Sequence, residues 1–308
     1  GNGQRFIDAG YSLPKPMIDV FGKPMIQRVL ENLNIDGKYH FIIKSEHQEK
    51  YQISDLLKSI IPDCKITELS GTTEGAACSV LKCFENKINM NEELVVTNCD
   101  QIFLWDKDYF FDEASKSEGS LLCHKDRDSK WSYCIGKKNK NLTLEVKSVI
   151  EKPHEIPDHE YANVGLYYWK KTERFYNDAM RMIFEKNKVK NEYYISPVYN
   201  YLCEENKKVS AVLCKKMWGI GTPEDLKKYA SKMVIIEFAG DKLKNFLRKY
   251  NANKLKINGI SFTDGSWRGL FCPRFPNPET QEIVPAIIIN TDSYDSLEYH
   301  RQLSQSLD

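Results

Sequence analysis

The sequence predicts an α/β protein built on a Rossmann-like mixed sheet, followed by a small α+β extension. Over residues 1–232, short apolar runs rich in β-branched residues alternate with longer amphipathic stretches, which is typical of an α/β sheet domain. Asp100 is an acidic residue that follows a strongly apolar run at 94–98, which is predicted to be a strand. In α/β sheets, the carboxyl ends of the strands form the edge at which ligands bind. A chain of 308 residues has room for this domain and for the extension at 233–308.

The first half of the domain alternates helices with strands. Apolar residues at 25, 26, 29, 30 and 33 have helical spacing, and Pro24 fits the first turn of that helix. The same kind of pattern predicts strands at 40–43, 65–69 and 94–98, the last of them buried, and helices at 52–61 and 75–84.

The second half is richer in strands. Apolar runs predict antiparallel strands at 120–123, 131–135 and 142–149, further strands at 161–169 and 209–214, and a helix at 173–186. Thr222 is placed to cap a short helix that has Pro223, Glu224 and Asp225 in its first turn.

In the extension at 233–308, apolar and polar residues alternate less regularly than in the first domain. The pattern predicts a strand at 234–238, a basic helix at 241–250, a strand within 283–290 and a polar helix from about residue 293. Pro285 has no backbone donor, so its strand is expected at a sheet edge or starting just after the proline. Residues 265–269 are predicted to form a loop.

Composition and charge exclude several classes of protein. The chain has 44 Lys+Arg and 43 Asp+Glu, a net charge of +1, so no overall field favours nucleic acid or an anionic membrane. No apolar stretch reaches the roughly 18 residues of a membrane span. The nine cysteines are scattered without a C-x-x-C pair. They predict free thiols in a reducing compartment, and hence a cytoplasmic protein.

The most informative segment lies at the start of the chain. Gly1, Asn2 and Gly3 form a Gly-x-Gly run, in which missing side chains let backbone N–H groups approach an anion. Arg5 adds a planar donor fork suited to phosphate. Lys15 lies between two prolines that stiffen the backbone and present its ammonium. Together these residues predict a site that holds a triphosphate and stabilises charge on the phosphorus under attack.

The series G-x-G-x-R, P-K-P and G-K-P-M-I resembles the signature of sugar nucleotidyltransferases. The resemblance covers residues 1–232 and implies the GT-A-type sheet of that family. It also implies a reaction that joins a nucleoside triphosphate to a phosphorylated small molecule and releases pyrophosphate. In that family the glycine loop follows a buried first strand, so we expect the natural chain to begin upstream of Gly1. The alternative is a fold that lacks this central strand and leaves an open slot in the sheet.

Asp100 follows the apolar strand at 94–98 in the run Asn98-Cys99-Asp100. Such a carboxylate could simply cap a turn. The resemblance implies instead that Asp100 binds the Mg²⁺ that bridges to the nucleotide phosphates, and hard oxygen donors suit that ion.

A run of small residues between a strand and a helix resembles the base-recognition loop of the family. Its candidate residues are Gly71, Thr72, Gly75 and Ala76, where a flat base could approach the backbone. The alternative is a tight strand–helix junction that requires glycine.

Two further elements resemble the acceptor site of the family. In the run E-K-P, the resemblance implies that Glu151 accepts hydrogen bonds from acceptor hydroxyls and that Lys152 contacts the acceptor phosphate. The alternative is a pair of solvated surface charges. Asn163 and Gly165 match the strand that follows, and would line the same pocket.

One departure concerns the metal. Many members carry W-x-D-x-G-T, whose aspartate is the second metal ligand, but residues 218–222 are W-G-I-G-T, with glycine at that place. Asp225 or another carboxylate could substitute, or Asp100, phosphates and water could suffice. The variant W-G-I-G-T-P-E-D-L resembles a subgroup associated with capsule polysaccharide biosynthesis.

The hypothesis is therefore in-line displacement at the α-phosphorus by an acceptor phosphate oxygen, which is already anionic and needs no general base. Two alternatives stay open. One is a GT-A glycosyltransferase with a nucleotide-sugar donor, although Asn98-x-Asp100 replaces the usual Asp-x-Asp pair. The other is a nucleotide sensor without activity. The base, the acceptor and homo-oligomer formation also stay open.

Overall fold

A computed structural model describes residues 3–86, 88–139, 143–157 and 161–230, and beyond them the strands at 233–237, 261–263, 266–268, 271–276 and 283–290. Its α-helices are α1 (Gln4–Asp8), α2 (Met25–Leu33), α3 (Ser45–Tyr51), α4 (Ile53–Ile60), α5 (Ala76–Leu81), α6 (Lys107–Ser115), α7 (Thr172–Phe184), α8 (Tyr199–Glu204) and α9 (Pro223–Ala230). Short 3-10 helices cover Lys15–Met17, Lys82–Asn86 and Ser196–Val198.

The strands fall into two groups along the chain. Those before residue 230 are β1 (His40–Lys44), β2 (Lys65–Leu69), β3 (Leu94–Thr97), β4 (Gln101–Leu104), β5 (Gly119–His124), β6 (Ser132–Lys138), β7 (Thr143–Glu151), β8 (Ala162–Trp169), β9 (Val209–Leu213) and β10 (Lys216–Gly219). Those after it are β11 (Met233–Glu237), β12 (Ser261–Thr263), β13 (Ser266–Arg268), β14 (Phe271–Pro276) and β15 (Ile283–Asn290).

Six strands form the central sheet in the order β3-β8-β5-β9-β7-β6. In that sheet β5 runs parallel to β9, and the other neighbours are antiparallel. Two further pairs lie outside it: β1 is parallel to β2, and β4 is antiparallel to β10. The predicted α/β fold with a mixed sheet is confirmed.

The two faces of the central sheet enter separate apolar cores. Leu121 and Cys123 of β5 pack with α5, α7 and α8 on one face. Leu122, between them, packs with α2, α6 and α9 on the other. Successive strand residues point to opposite faces, so a strand covered on both sides is apolar throughout. The sheet is therefore enclosed by two helical layers.

Local predictions from periodicity and capping are confirmed where the signal was strong. All five apolar positions of α2 are buried: Met25, Ile26, Val29, Leu30 and Leu33. At α9, the N–H of Asp225 donates to Oγ1 of Thr222 at 3.1 Å, which is the predicted cap.

The predicted burial of one strand is wrong, one predicted group of strands is found only in part, and several elements were missed. The strand expected to be buried at 94–98 is β3, which is only partly buried because it is an edge strand that pairs with β8 alone within the described residues. The strands predicted at 131–135 and 142–149, β6 and β7, are antiparallel neighbours as expected. The strand predicted with them at 120–123, β5, lies instead between β8 and β9 and is parallel to β9. The strands β4 and β10 and the helices α3, α6 and α8 were not predicted.

The described strands of the extension form small antiparallel sheets, β11-β15-β14 and β12-β13. Residues 266–268, predicted as part of a loop, are strand β13. Pro285 lies in a central strand, not at an edge. Pro285 lacks a backbone N–H, but this is tolerated because no regular pairing needs a donor there. The pairing with β11 stops at Ala286, and the register of the pairing with β14 shifts between Val284 and Ala286. The helices predicted at 241–250 and from residue 293 lie outside the described residues.

The sequence predicts free thiols and contains no apolar stretch as long as a membrane span. The eight cysteines that precede residue 230 are all free. Every helix in the described part of the chain is too short or too polar to cross a lipid bilayer.

Candidate active site

Gly3 and Lys15 lie side by side near the start of the described residues. Gly3 has a φ of +64°, a left-handed conformation that favours glycine, and its carbonyl accepts a hydrogen bond from the N–H of Phe6 at 2.9 Å. A Cβ at Gly3 would lie 3.8 Å from Cβ of Lys15. The predicted residues Gly1 and Asn2 lie outside the described residues. The third residue of the glycine loop thus touches the predicted lysine.

Arg5 is exposed on α1, two residues after Gly3. Among the residues that the structure describes, none forms a hydrogen bond or ion pair with its guanidinium. Its charge lies near enough to Lys15 to lower the pKa of that amine. An unpaired guanidinium beside a second cation is suited to bind a phosphate chain.

Lys15 pairs directly with Asp100. Its Nζ lies 2.7 Å from Oδ2 of Asp100, and the two side chains are 26% and 22% exposed. β3 ends at Thr97, so Asp100 lies just beyond the carboxyl end of that strand. The predicted catalytic lysine and the predicted metal carboxylate therefore meet at the ligand-binding edge of the sheet.

The pair keeps Lys15 protonated. Burial lowers the pKa of the amine, but Cys99 and Asp100 raise it, and the net pKa lies above that of an ordinary lysine. The amine is therefore a full positive charge at neutral pH, as a group that stabilises phosphate charge must be.

A second segment packs against Asp100 through the β4–β10 pair. Gly219 lies opposite Gln101, and the N–H of Ile220 donates to the carbonyl of Asp100 at 2.9 Å. A Cβ at Gly221 would lie only 2.3 Å from Oδ2 of Asp100. Gly221 therefore makes room for the Asp100 carboxylate.

Gly219, the glycine predicted from the sequence to align with the aspartate of W-x-D-x-G-T, lies beside Asp225. A Cβ at Gly219 would lie 3.7 Å from Oδ2 of Asp225, an ordinary van der Waals distance. Asp225 is partly buried in the first turn of α9, where its own N–H is fixed by Thr222. Its carboxylate thus lies next to the space that a side chain at 219 would enter.

Asp100 and Asp225 are carboxylates of the kind that could hold a magnesium ion. Within the described part of the chain, no three His, Cys, Asp or Glu side chains are grouped to hold a metal ion. Mg²⁺ commonly takes one or two carboxylates and keeps water and phosphate oxygens as its other ligands. Asp100, with Asp225 on the segment packed against it, is a donor set of that kind.

The loop after β2 presents small residues at the surface. Gly71, Thr72 and Ala76 are exposed, and a Cβ at Gly71 would meet nothing within 4 Å. Gly75 has a φ of +143°, and its Cβ would lie 2.4 Å from the carbonyl oxygen of Tyr193. The junction alternative therefore explains the glycine at 75 but not the one at 71.

Glu151 and Lys152 are held by neighbouring side chains. Ser196 donates to Oε2 of Glu151, and Nζ of Lys152 donates to the hydroxyl of Tyr194 and lies 4.2 Å from its ring centroid. Burial raises the pKa of Glu151 above that of an ordinary glutamate, although the hydrogen bond from Ser196 lowers it. Both charges are partly buried. These contacts argue against a pair of freely solvated charges.

Gly165 of β8 lies against the residues that flank Asp100, and Asn163 is two residues before it on the same strand. Oδ1 of Asn163 accepts the N–H of Gly165 at 2.5 Å, and its buried Nδ2 has no partner in the described structure. Gly165 has a φ of +81°, and a Cβ there would lie 2.2 Å from Nδ2 of Asn98 and 2.7 Å from Oε1 of Gln101. An unused amide donor therefore lies two residues along β8 from the glycine that packs against the Asp100 turn.

Strand β6 links these two acceptor elements. Tyr133 lies opposite both Ile150 of β7 and Ala162 of β8. The next residues along those strands, Glu151 and Asn163, are thereby brought to one part of the sheet.

Several neighbours of the site were not identified from the sequence: Asn98, Gln101, Tyr194, Ser196 and Gly221. Each contacts a predicted site residue that is distant in sequence or on another strand. The only signal was the position of Asn98 and Gln101 on either side of Asp100.

Comparison with known proteins gives a consistent result. The family model described as nucleotidyl transferase matches residues 1–234. The bifunctional protein GlmU of Methanocaldococcus jannaschii is 26% identical over 231 residues, which are 73% of this chain and 50% of that protein. The chain thus matches about half the length of this curated relative.

Solved structures show the same architecture. The nucleoside-diphosphate-sugar pyrophosphorylase of Vibrio cholerae RC9 has a TM-score of 0.65 at 20% identity, covering 74% of this chain and 96% of its own. A UDP-glucose pyrophosphorylase in complex with UDP-glucose has a TM-score of 0.60 at 20% identity, and the match covers 75% of this chain and 96% of that protein's chain. At these identities the similarity establishes the fold.

Proposed function

Because the chain belongs to the nucleotidyl transferase family, we propose that it transfers a nucleotidyl group from a nucleoside triphosphate to the phosphate of a small-molecule acceptor. The observation that carries this proposal is the Lys15–Asp100 pair, with Gly3 and the unpaired Arg5 beside it. Those residues combine cations for a phosphate chain with a carboxylate for its metal.

The reaction is a displacement at the α-phosphorus. An oxygen of the acceptor phosphate forms a bond to that phosphorus, and the bond from it to the pyrophosphate oxygen breaks. The electron pair of the broken bond leaves with pyrophosphate. Because the attacking oxygen is already anionic, no side chain has to remove a proton, and catalysis consists of positioning and charge stabilisation.

Each predicted residue has a role in that step. Lys15 stabilises charge on the α-phosphate, and its raised pKa keeps it charged. Arg5 and the glycine loop of Gly1, Asn2 and Gly3 hold the β- and γ-phosphates. Gly71, Thr72, Gly75 and Ala76 receive the base.

Mg²⁺ is part of the proposal. Asp100 would bind the ion, with Asp225 as the second carboxylate in place of the residue missing at Gly219. When bound, the ion would neutralise charge on the phosphates. The contribution of the chain is to fix Asp100 between Lys15 and the bare backbone of Gly221.

The acceptor is proposed to be a sugar phosphate. The relatives named above include pyrophosphorylases of nucleotide sugars, which supports this class. On this side, Glu151 would accept hydrogen bonds from hydroxyls, Lys152 would contact the phosphate, and the unpartnered Nδ2 of Asn163 beside Gly165 would donate to an acceptor oxygen. The W-G-I-G-T-P-E-D-L run supports a role in capsule or surface polysaccharide biosynthesis, and the free thiols support a cytoplasmic location.

Ligand-induced thermal stabilisation tests the proposal. The four ribonucleoside triphosphates, dTTP and the corresponding diphosphates are each added with and without Mg²⁺, and pyrophosphate release is then measured with glucose 1-phosphate and other sugar phosphates. We expect one triphosphate to stabilise the protein in a metal-dependent way, well above its diphosphate. Preference for a diphosphate or its sugar conjugate would instead favour glycosyl transfer. Tight nucleotide binding without turnover on any acceptor would favour a sensor.

A further inference from the structure

Residues 193–196, here called the connecting segment, join two parts of the candidate site that are distant in sequence. The segment ends at Ser196, the first residue of the 3-10 helix Ser196–Val198, and lies between the base loop and the Glu151–Lys152 pair. Tyr193, Ile195 and Ser196 within it are buried.

One side of the connecting segment holds the base loop through its backbone. The N–H of Tyr193 donates to the carbonyl of Glu74 at 2.9 Å, and the N–H of Ala77 donates to the carbonyl of Tyr193 at 3.1 Å. The backbone of Tyr193 also fills the space beside Gly75, where a Cβ would be 2.4 Å from its carbonyl oxygen. Two hydrogen bonds and close packing therefore fix the loop to this segment.

The other side holds the acceptor residues through side chains. The Tyr194 hydroxyl accepts a hydrogen bond from Lys152, whose amine also lies over the Tyr194 ring. Lys152 has a φ of +46°, unusual for a residue with a side chain, so its orientation depends on such contacts. Ser196 donates to the partly buried carboxylate of Glu151.

We propose that the connecting segment couples the nucleotide side of the site to the acceptor side, with Tyr194 and Ser196 as positioning residues for Lys152 and Glu151. The inference rests on the proposed function for its meaning in catalysis, but the mechanical coupling can be measured without any ligand. A shift of the base loop on nucleotide binding would move the Tyr193 backbone and, through the next three residues, the acceptor contacts. By linkage, acceptor binding would affect the nucleotide side equally.

Hydrogen exchange of the ligand-free protein tests the coupling. The variants Ser196→Ala and Tyr194→Phe each remove one acceptor-side hydrogen bond. We expect amide exchange to become roughly fivefold or more faster in 193–196 and also in 71–77, because loss of a contact raises the population of locally open states. If the amides of 71–77 exchange at the wild-type rate in both variants, the proposal is overturned.

Two matched controls separate this effect from general loosening. Ser210→Ala removes a buried hydroxyl that bonds to Ser120 at 2.9 Å, and Tyr201→Phe removes a hydroxyl that bonds to Glu185 at 2.8 Å. Both should leave exchange in 71–77 unchanged. Faster exchange there in the controls as well would show a non-specific effect and overturn the assignment.

Kinetics supply a second readout with UTP and glucose 1-phosphate as probes. Ser196→Ala should raise the KM for glucose 1-phosphate by roughly tenfold, with a smaller change in kcat, because the Glu151 carboxylate loses the hydrogen bond that positions it. A fall in kcat at unchanged KM would contradict a positioning role. If no substrate pair shows turnover, the proposed function fails, while the exchange experiment still decides the coupling.

Discussion

The amine of Lys15 donates a hydrogen bond to Oδ2 of Asp100 at 2.7 Å, although 85 residues separate them in sequence. The contact joins the 3-10 helix Lys15–Met17, which lies beside Gly3, to the turn that follows β3. In the proposed reaction, phosphate oxygens of the substrate would take the place of the carboxylate as partners of the amine. The pair thus holds both groups in position before substrate arrives.

Replacing Lys15 by alanine should reduce turnover strongly. The charge that stabilises the α-phosphate would be lost, and removal of one oriented stabilising group costs roughly a hundredfold or more in kcat. Pyrophosphate release measures this. Lys38→Ala is the matched control, because Lys38 also forms an ion pair, with Glu92 at 2.8 Å, but is 84% exposed. Near-normal turnover of Lys15→Ala would remove this residue from the mechanism.

Gly221→Ala should disturb the Asp100 carboxylate without changing any charge. The new Cβ would lie 2.3 Å from Oδ2 of Asp100, so the carboxylate must move. We expect kcat to fall at least about tenfold, with a loss of stability of about 1–3 kcal/mol typical of overpacking. Gly219→Ala is the matched control, since its Cβ would be 3.7 Å from its nearest neighbour, Oδ2 of Asp225. Equal activity of the two variants would contradict the assigned role of Gly221.

Much of the fold could be predicted because local patterns agree with the tertiary structure. The apolar stripe of α2 and the Thr222 cap are signals within a few residues of sequence. Helix α6 was missed because its buried side chains are Phe110 and Ala114 alone, too few for a helical stripe. The pair β4–β10 was missed because its strands are short and contain polar residues such as Gln101 and Lys216.

The candidate site was predictable in its residue types but not in its contacts. The motifs placed Lys15 and Asp100 in one site, and the structure brings them together. Nothing in the neighbouring sequence explains why position 221 is glycine. The reason is the carboxylate of Asp100, which is distant in sequence and fills the space where a side chain at 221 would lie. The same holds for Ser196 and Tyr194, whose partners precede them by more than one secondary-structure element.

Asp225→Asn should weaken metal binding. If Asp225 is the second carboxylate, losing its charge should raise the Mg²⁺ concentration needed for half of the nucleotide-dependent thermal shift by roughly tenfold or more. Binding of Mn²⁺, followed by electron paramagnetic resonance, gives a readout that does not depend on activity. Glu224→Gln, which changes the exposed neighbouring carboxylate, should have no such effect. Unchanged metal affinity in Asp225→Asn would leave Asp100 as the sole protein ligand in the proposal.

Asp178 should make the protein less stable as the pH rises from about 4 to 6. Burial raises the pKa of Asp178 from 3.8 to about 6, although Arg174, at 2.7 Å, lowers it. Between these values the folded protein holds a proton that the unfolded chain has released, so stability falls with pH. The effect is at most roughly 3 kcal/mol, the free energy that corresponds to this pKa difference.

Urea unfolding of the wild type and Asp178→Asn across this pH range measures the effect. The stability of the wild type relative to the variant should be greatest at pH 4 and should decline through pH 6, because asparagine does not titrate. Asp112→Asn is the control: that carboxylate also bonds a cation, Lys116 at 2.8 Å, but is 65% exposed, so its difference from wild type should vary far less. A constant difference between wild type and Asp178→Asn would mean that Asp178 is ionised throughout, held by Arg174 despite its burial.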